Sequence, residues 1–180
     1  MNMDSAVNAE SKPAWLDRPI SIYIPRITIE HILIVLLIIV AIVSRFYDLG
    51  LRVMSHDEVN HVVPSYELYQ GRGYAHDPVT HGPLQFHLVA GSYFLFGDSD
   101  FSSRIPAALF SIATIIFVIF AFRRYLGRTG ALLAGVFFLV SPYMLFYGRY
   151  TRNEAFVALF GVVMLYAVLR YLETGQIRIL

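Results

Sequence analysis

The chain has no cysteine. This excludes disulfides, thiolate metal sites and a cysteine nucleophile, and it leaves the redox compartment undecided. Charge is scarce too, at 15% of residues, where a soluble domain of this size usually carries about 25%. The net charge is +1, so no strongly basic surface points to nucleic acid as a partner. The first 25 residues, punctuated by Pro13, Pro19 and Pro25, are too polar for a signal peptide. The apolar block after them reads as too long for a signal h-region and lacks a clear small-residue cleavage site.

What the chain has is apolar residues, 57% of the total, gathered in long blocks. A helix needs about 20 such residues to cross a hydrocarbon core of roughly 30 Å. Only helices and closed barrels satisfy their backbone inside lipid, and these blocks are far too long for barrel strands. The expected fold is all-α: a polytopic helical membrane protein with about four transmembrane helices, plus interfacial helices in its first outer loop.

Read in order, residues 1–26 form a polar tail and residues 27–47 the first span. Residues 48–101 form a long polar loop, inside which 84–96 is apolar but short for a span. The second span is expected over 102–122, a basic turn over 123–128, and a third span over 129–147 with a kink at Pro142. A polar turn at 148–154 leads to the fourth span, 155–172. Residues 173–180 resemble the start of another segment, so the chain reads as the N-terminal part of a longer protein. Arg123, Arg124 and Arg128 make the 123–128 turn cytoplasmic by the positive-inside rule. The tail is then cytoplasmic, and the 48–101 and 148–154 loops share the outer face. Arg149 and Arg152 break the rule there, which invites a functional explanation such as holding a phosphate.

The first outer loop concentrates chemistry. Five of the six histidines lie between His56 and His87, together with Asp57, Glu58, Glu67 and Asp77. Ser55-His56-Asp57-Glu58 fits a capping box at a helix start, which explains part of Glu58 and leaves Asp57 free to point elsewhere. Val59, Val62, Val63, Tyr66 and Tyr69 recur at helical spacing, as in a helix lying on the membrane. A carboxylate at that surface is a candidate general base or a ligand for a hard cation. Asp57, Glu58 and His61 are the candidate ligands for a divalent metal, although their spacing matches no recognised zinc signature. His56, Asp77 and His81 are candidates for lining a substrate pocket; a plain connector is the competing reading of 74–83. Arg104 and Arg152 suit either the interface, by snorkelling, or a phosphate. Glu154 suits a substrate contact, an ion pair or a helix cap.

These residues also form a recognisable series. His56-Asp57-Glu58 follows the first span, and then come Tyr74, Asp77-Pro78 and His81-Gly82-Pro83-Leu84. Next are Phe96-Gly97, Arg104-Ile105-Pro106-Ala107-Ala108-Leu109, Leu126-Gly127-Arg128, Ser141-Pro142 and Tyr150-Thr151-Arg152-Asn153-Glu154. The series resembles the membrane glycosyltransferases that include dolichyl-phosphate-mannose–protein mannosyltransferases, in a poorly characterised prokaryotic branch, over about residues 45–175. The resemblance implies a multi-helix enzyme of the cell membrane. Its sugar donor is a polyprenyl phosphate on the outer leaflet, and its acceptor is a hydroxyl of a protein, lipid or glycan, glycosylated with inversion. It implies Asp57 and Glu58 as the acidic catalytic pair, with Asp57 the better base. It implies Arg104 as a contact to donor phosphate or acidic groups, and Glu154 as the acidic residue of the second outer turn. Relatives differ in metal use, so a divalent metal stays open. The family has many more helices than four, and the missing ones would hold much of the lipid cavity. The competing function is a non-catalytic transport or flippase-associated protein that recognises a lipid-linked sugar. Polar or broken helices at mid-membrane would mark it, and the four apolar blocks contain almost none.

Overall fold

The computed structural model describes residues 15–19, 27–74 and 82–176. Among them all regular structure is helical, apart from one isolated antiparallel bridge between Pro19 and Thr28. The chain is an all-α polytopic membrane protein.

Residues 1–36 cluster as one unit and 37–180 as another. In the first, a 3₁₀ turn at Trp15–Asp17 precedes the bridge. The Ile29 amide donates to Arg18 O at 3.2 Å. Thr28 Oγ1 pairs with His31 Nδ1 at 2.7 Å at the mouth of helix α1, Ile29–Phe46.

In the second unit α2 is His56–Tyr69, α3 Leu84–Phe96, α4 Asp100–Ala121, α5 Arg123–Val140, α6 Pro142–Tyr147 and α7 Glu154–Thr174. Helix α4 is central and packs against α3, α5, α6 and α7. Its covered faces carry Ser103, Ala107, Ala108, Ser111 and Thr114 among larger residues, and small side chains let helix backbones approach closely. Gly135 of α5 answers this: a Cβ there would meet Ile119 Cγ1 at 2.7 Å. Toward α7 the packing is aromatic, with Phe110 on Phe156 at 4.4 Å and Phe117 on Tyr166 at 5.7 Å between ring centroids.

Helices α1, α4 and α7 are each long and apolar enough to cross a membrane. The expected third span, 129–147, is built from two pieces: α5 up to Val140, then α6 after a break at Ser141. Proline has no N–H to continue the ladder and fits a first helical position, so Pro142 opens α6 where a kink was expected. The basic turn at 123–128 is a helical turn ended by Gly127, whose φ of 68° departs from helix. Val157, Phe160, Met164, Leu165 and Leu172 stay exposed along α7. So large an apolar face is costly in water and natural against acyl chains.

Helix α3, with 13 residues, is about 20 Å long at 1.5 Å per residue, too short to span. It packs between α2 and α4. Helix α2 starts at the expected capping box, with Ser55 Oγ and the Glu58 side chain bonding reciprocally across the first turn. Its outward face carries Val59 and Val63, while Glu58, His61 and Ser65 are buried. Glu58, His61 and Ser65 therefore face the protein, while His56, Asp57 and Asn60 lie on the exposed side with Val59 and Val63.

Candidate active site

Glu58 is the hub at which the 48–101 and 148–154 segments meet. Its side chain is fully buried. Arg104 Nε donates to Oε1 at 2.8 Å and Arg104 Nη2 to Oε2 at 3.0 Å. Arg52 Nη2 donates to Oε2 at 3.1 Å, the Ser55 amide to Oε2 at 3.2 Å and the Thr151 amide to Oε1 at 3.1 Å. Burial alone raises the carboxyl's pKa. The hydrogen bonds from Arg104, Thr151 and Ser55, with the Arg104 charge, overcome that and hold it below the ordinary carboxylate value.

Arg104 has backbone partners as well. Its Nη1 donates to Leu49 O at 2.9 Å and to Arg52 O at 2.8 Å. A guanidinium's planar fork suits this bidentate pairing. The pair ties α2 to α4 and to the turn after α1. The Thr151 amide brings in the 148–154 turn, and Thr151 Oγ1 donates to Ser103 O at 3.2 Å.

Asp57, one residue earlier, faces outward with its side chain about half exposed. Arg152 Nη1 donates to Asp57 Oδ2 at 3.0 Å, and Arg152 Nε lies 3.4 Å from Glu154 Oε1. An exposed pair of this kind contributes about 1 kcal/mol or less, so Asp57 is held in place yet easily released. The capping box separates the two acids: it directs Glu58 inward and leaves Asp57 on the rim.

Two hollows flank α6. One, of about 430 Å³, is lined by Asp48, Leu49, Arg52, Arg104, Pro142, Leu145, Phe146 and Arg149. The Arg52 guanidinium lies 5.1 Å from the Phe146 ring centre and 4.9 Å from that of Tyr150, a cation–π geometry. Tyr150 stacks on Phe146 and shares a hydrogen bond with Ser55. Arg149 donates to Tyr47 O. The other hollow, of about 180 Å³, is lined by Tyr143, Arg152, Asn153, Glu154 and Val157.

A match to the family model for dolichyl-phosphate-mannose-protein mannosyltransferase covers residues 80–180. The chain belongs to this family. No curated protein and no solved structure matches the chain. The mannosyltransferase match contains Arg104, Arg149, Arg152 and Glu154 but begins after Asp57 and Glu58. Those two reach the matched region through the Glu58–Arg104 and Asp57–Arg152 contacts.

The residues read from sequence thus fall into three groups. Asp57, Glu58, Arg104, Arg152 and Glu154 converge, with Arg104 turned to Glu58. His56 is exposed beside them, while His61 is buried and packs on Phe86 at 5.8 Å between centroids. Asp77 and His81 lie outside the described residues. Among the described residues no three His, Cys, Asp or Glu side chains converge as metal ligands. Both Glu58 oxygens are taken up by N–H donors. Sequence reasoning passed over Arg52 and gave Tyr150 no role beyond its place in the 150–154 series. Arg52 carried a readable signal, being another arginine on the side that the positive-inside rule leaves poor in them. The Thr151 contribution is a backbone N–H, which no side-chain pattern announces.

Proposed function

We propose that these loops form part of a site that transfers a sugar from a polyprenyl phosphate to a hydroxyl acceptor on the outer membrane face, with inversion. The observation that carries this reading is the separation of the two acids. Glu58 is neutralised and buried between cations, while Asp57 stands exposed next to it.

In this reading Asp57 accepts the acceptor's proton as its oxygen attacks the anomeric carbon. The bond from that carbon to the phosphate oxygen breaks on the opposite face, and the phosphate leaves with the electron pair. A phosphate is already a weak base, so it needs charge stabilisation more than a proton. Arg52 and Arg149 suit that role, because both line the larger hollow together with Phe146. Arg104 supports them by fixing Glu58 and the Leu49–Arg52 backbone. Arg152, Asn153 and Glu154 around the smaller hollow offer donors and acceptors for sugar hydroxyls. Arg152 also orients Asp57.

The test supplies membranes containing the protein with a polyprenyl-phosphate sugar and follows transfer and anomeric configuration. The expected product has the configuration opposite to the donor. Retention, or donor binding without transfer, contradicts the proposal. Orientation is tested with single cysteines at Tyr66 and Leu126, in a chain that has none of its own. An impermeant reagent on intact cells is expected to label Tyr66→Cys only. Labelling of Leu126→Cys alone would put the site on the cytoplasmic face.

A further inference from the structure

Arg45 and Arg104 are the largest fully buried side chains among the described residues, and the site described above leaves Arg45 unused. It lies in the last turn of α1, an apolar helix. A buried guanidinium needs partners for its charge and its N–H groups. Neutral oxygens accept its hydrogen bonds. Nε donates to Ser111 Oγ at 3.2 Å, Nη1 to Ser44 Oγ at 2.9 Å and to Leu139 O at 3.0 Å, and Nη2 to Phe138 O at 3.2 Å.

The identity of those carbonyls explains the arrangement. In an α-helix the amide of residue 142 would donate to Phe138 O, but Pro142 has none. Ser141, at φ −56° and ψ 122°, turns the chain away, so Leu139 O loses its next-turn donor as well. Arg45 supplies both missing donors at once. It also places its charge at the C-terminal, negative end of the α5 dipole, which favours a cation. Its third partner matters equally. Ser111 is in van der Waals contact range of Gly148, where an added Cβ would overlap both Ser111 Oγ and Met144 O. One guanidinium therefore touches the bend before α6 and the serine that abuts the turn after it.

Helix α6 is only six residues long, and it carries Phe146 into the arginine-lined hollow. Its direction cannot be set by its own few hydrogen bonds. We propose that Arg45 is a positioning residue for sugar transfer. By holding the carbonyls at the Ser141–Pro142 bend it fixes the exit direction of α6, and with it the seats of Phe146 and Arg149. The activity part of this proposal rests on the function proposed above; the structural part does not.

The experiment has two readouts. Spin labels on cysteines replacing Thr129 and Tyr143, about 21 Å apart at 1.5 Å per residue along a straight helix, report the bend angle in the full chain. Arg45→Met is expected to broaden or shift this distance distribution. Arg45→Lys, which keeps three donors, is expected to leave it narrow. In transfer assays on unlabelled protein, Arg45→Met should raise KM for a polyprenyl-phosphate sugar at least tenfold, and Arg45→Lys should recover to within threefold of wild type. Pro142→Ala restores an amide for Phe138 O, so adding Arg45→Met to it should change KM less than threefold. An unchanged distance distribution in Arg45→Met overturns the proposal. So does a full tenfold KM effect in the Pro142→Ala background, which would mean that Arg45 does not act by replacing the missing donor at the bend. If Arg45→Met fails to fold, the Pro142→Ala pair and Arg45→Lys decide. If wild type transfers no sugar while the bend still depends on Arg45, the function fails and the positioning role stands.

Discussion

Arg104 and Glu58 meet side by side, Nε to Oε1 at 2.8 Å and Nη2 to Oε2 at 3.0 Å, with neither side chain more than 1% exposed. They lie 46 residues apart in sequence, so this one contact closes the first outer loop onto α4. Removing one partner strands the other charge in the interior, at a cost of about 3–5 kcal/mol. Glu58→Gln and Arg104→Gln should each lower the unfolding free energy in detergent by that order. The double substitution should cost well below the sum. Additive losses would show that the two side chains are not one unit.

The same carboxylate predicts a pH dependence. Its folded-state pKa lies below the ordinary value, so its stabilisation is fully present above the unfolded pKa of about 4.3. It is lost as pH falls through the depressed folded value. Thermal stability should therefore drop in acid below the usual carboxylate range, and Glu58→Gln should flatten that part of the profile. An identical acid profile in the variant contradicts the assignment.

Arg52 and Arg149 are expected to bind donor phosphate. A hydrogen bond to a charged group contributes about 1.5–3 kcal/mol, so Arg149→Gln should raise KM for the donor by roughly ten- to a hundredfold with little change in melting temperature. Arg52→Gln should do both, because Arg52 also bonds Glu58. An unaltered KM in Arg149→Gln would move the phosphate elsewhere.

Gly148 tests the packing beneath the second outer turn. A Cβ there overlaps Ser111 Oγ and Met144 O, and overpacking of this sort costs about 1–3 kcal/mol. Gly148→Ala should be destabilised by that order, and Ser111→Gly should relieve part of it. No loss of stability in Gly148→Ala would show that the turn and α4 lie further apart.

Much of this was legible in the chain because the signals are local. The capping box at Ser55–Glu58, the short helix at 84–96 and the break at Pro142 each depend on residues a few positions apart. Hydrophobic length predicted the helical architecture, and arginine bias led to the expectation that the 48–101 and 148–154 loops share one face. The roles inside that site were less legible. Arg104 looks in sequence like an interfacial or phosphate-binding arginine, and only the fold turns it onto Glu58. Arg45 sits at the end of an apolar block, where nothing nearby in sequence marks its partners. Its partners are backbone carbonyls 93 and 94 positions away, exposed by a proline that gives no hint of what replaces its missing amide.

The central claim is that two neighbouring acids do different work, Asp57 chemistry and Glu58 structure. The most direct measurement compares Asp57→Asn with wild type for transfer from a polyprenyl-phosphate sugar and for thermal unfolding, side by side. General-base catalysis contributes about 10²- to 10⁴-fold, so transfer should fall at least a hundredfold while the unfolding midpoint stays within a few degrees of wild type. Transfer by Asp57→Asn at the wild-type rate would contradict the account.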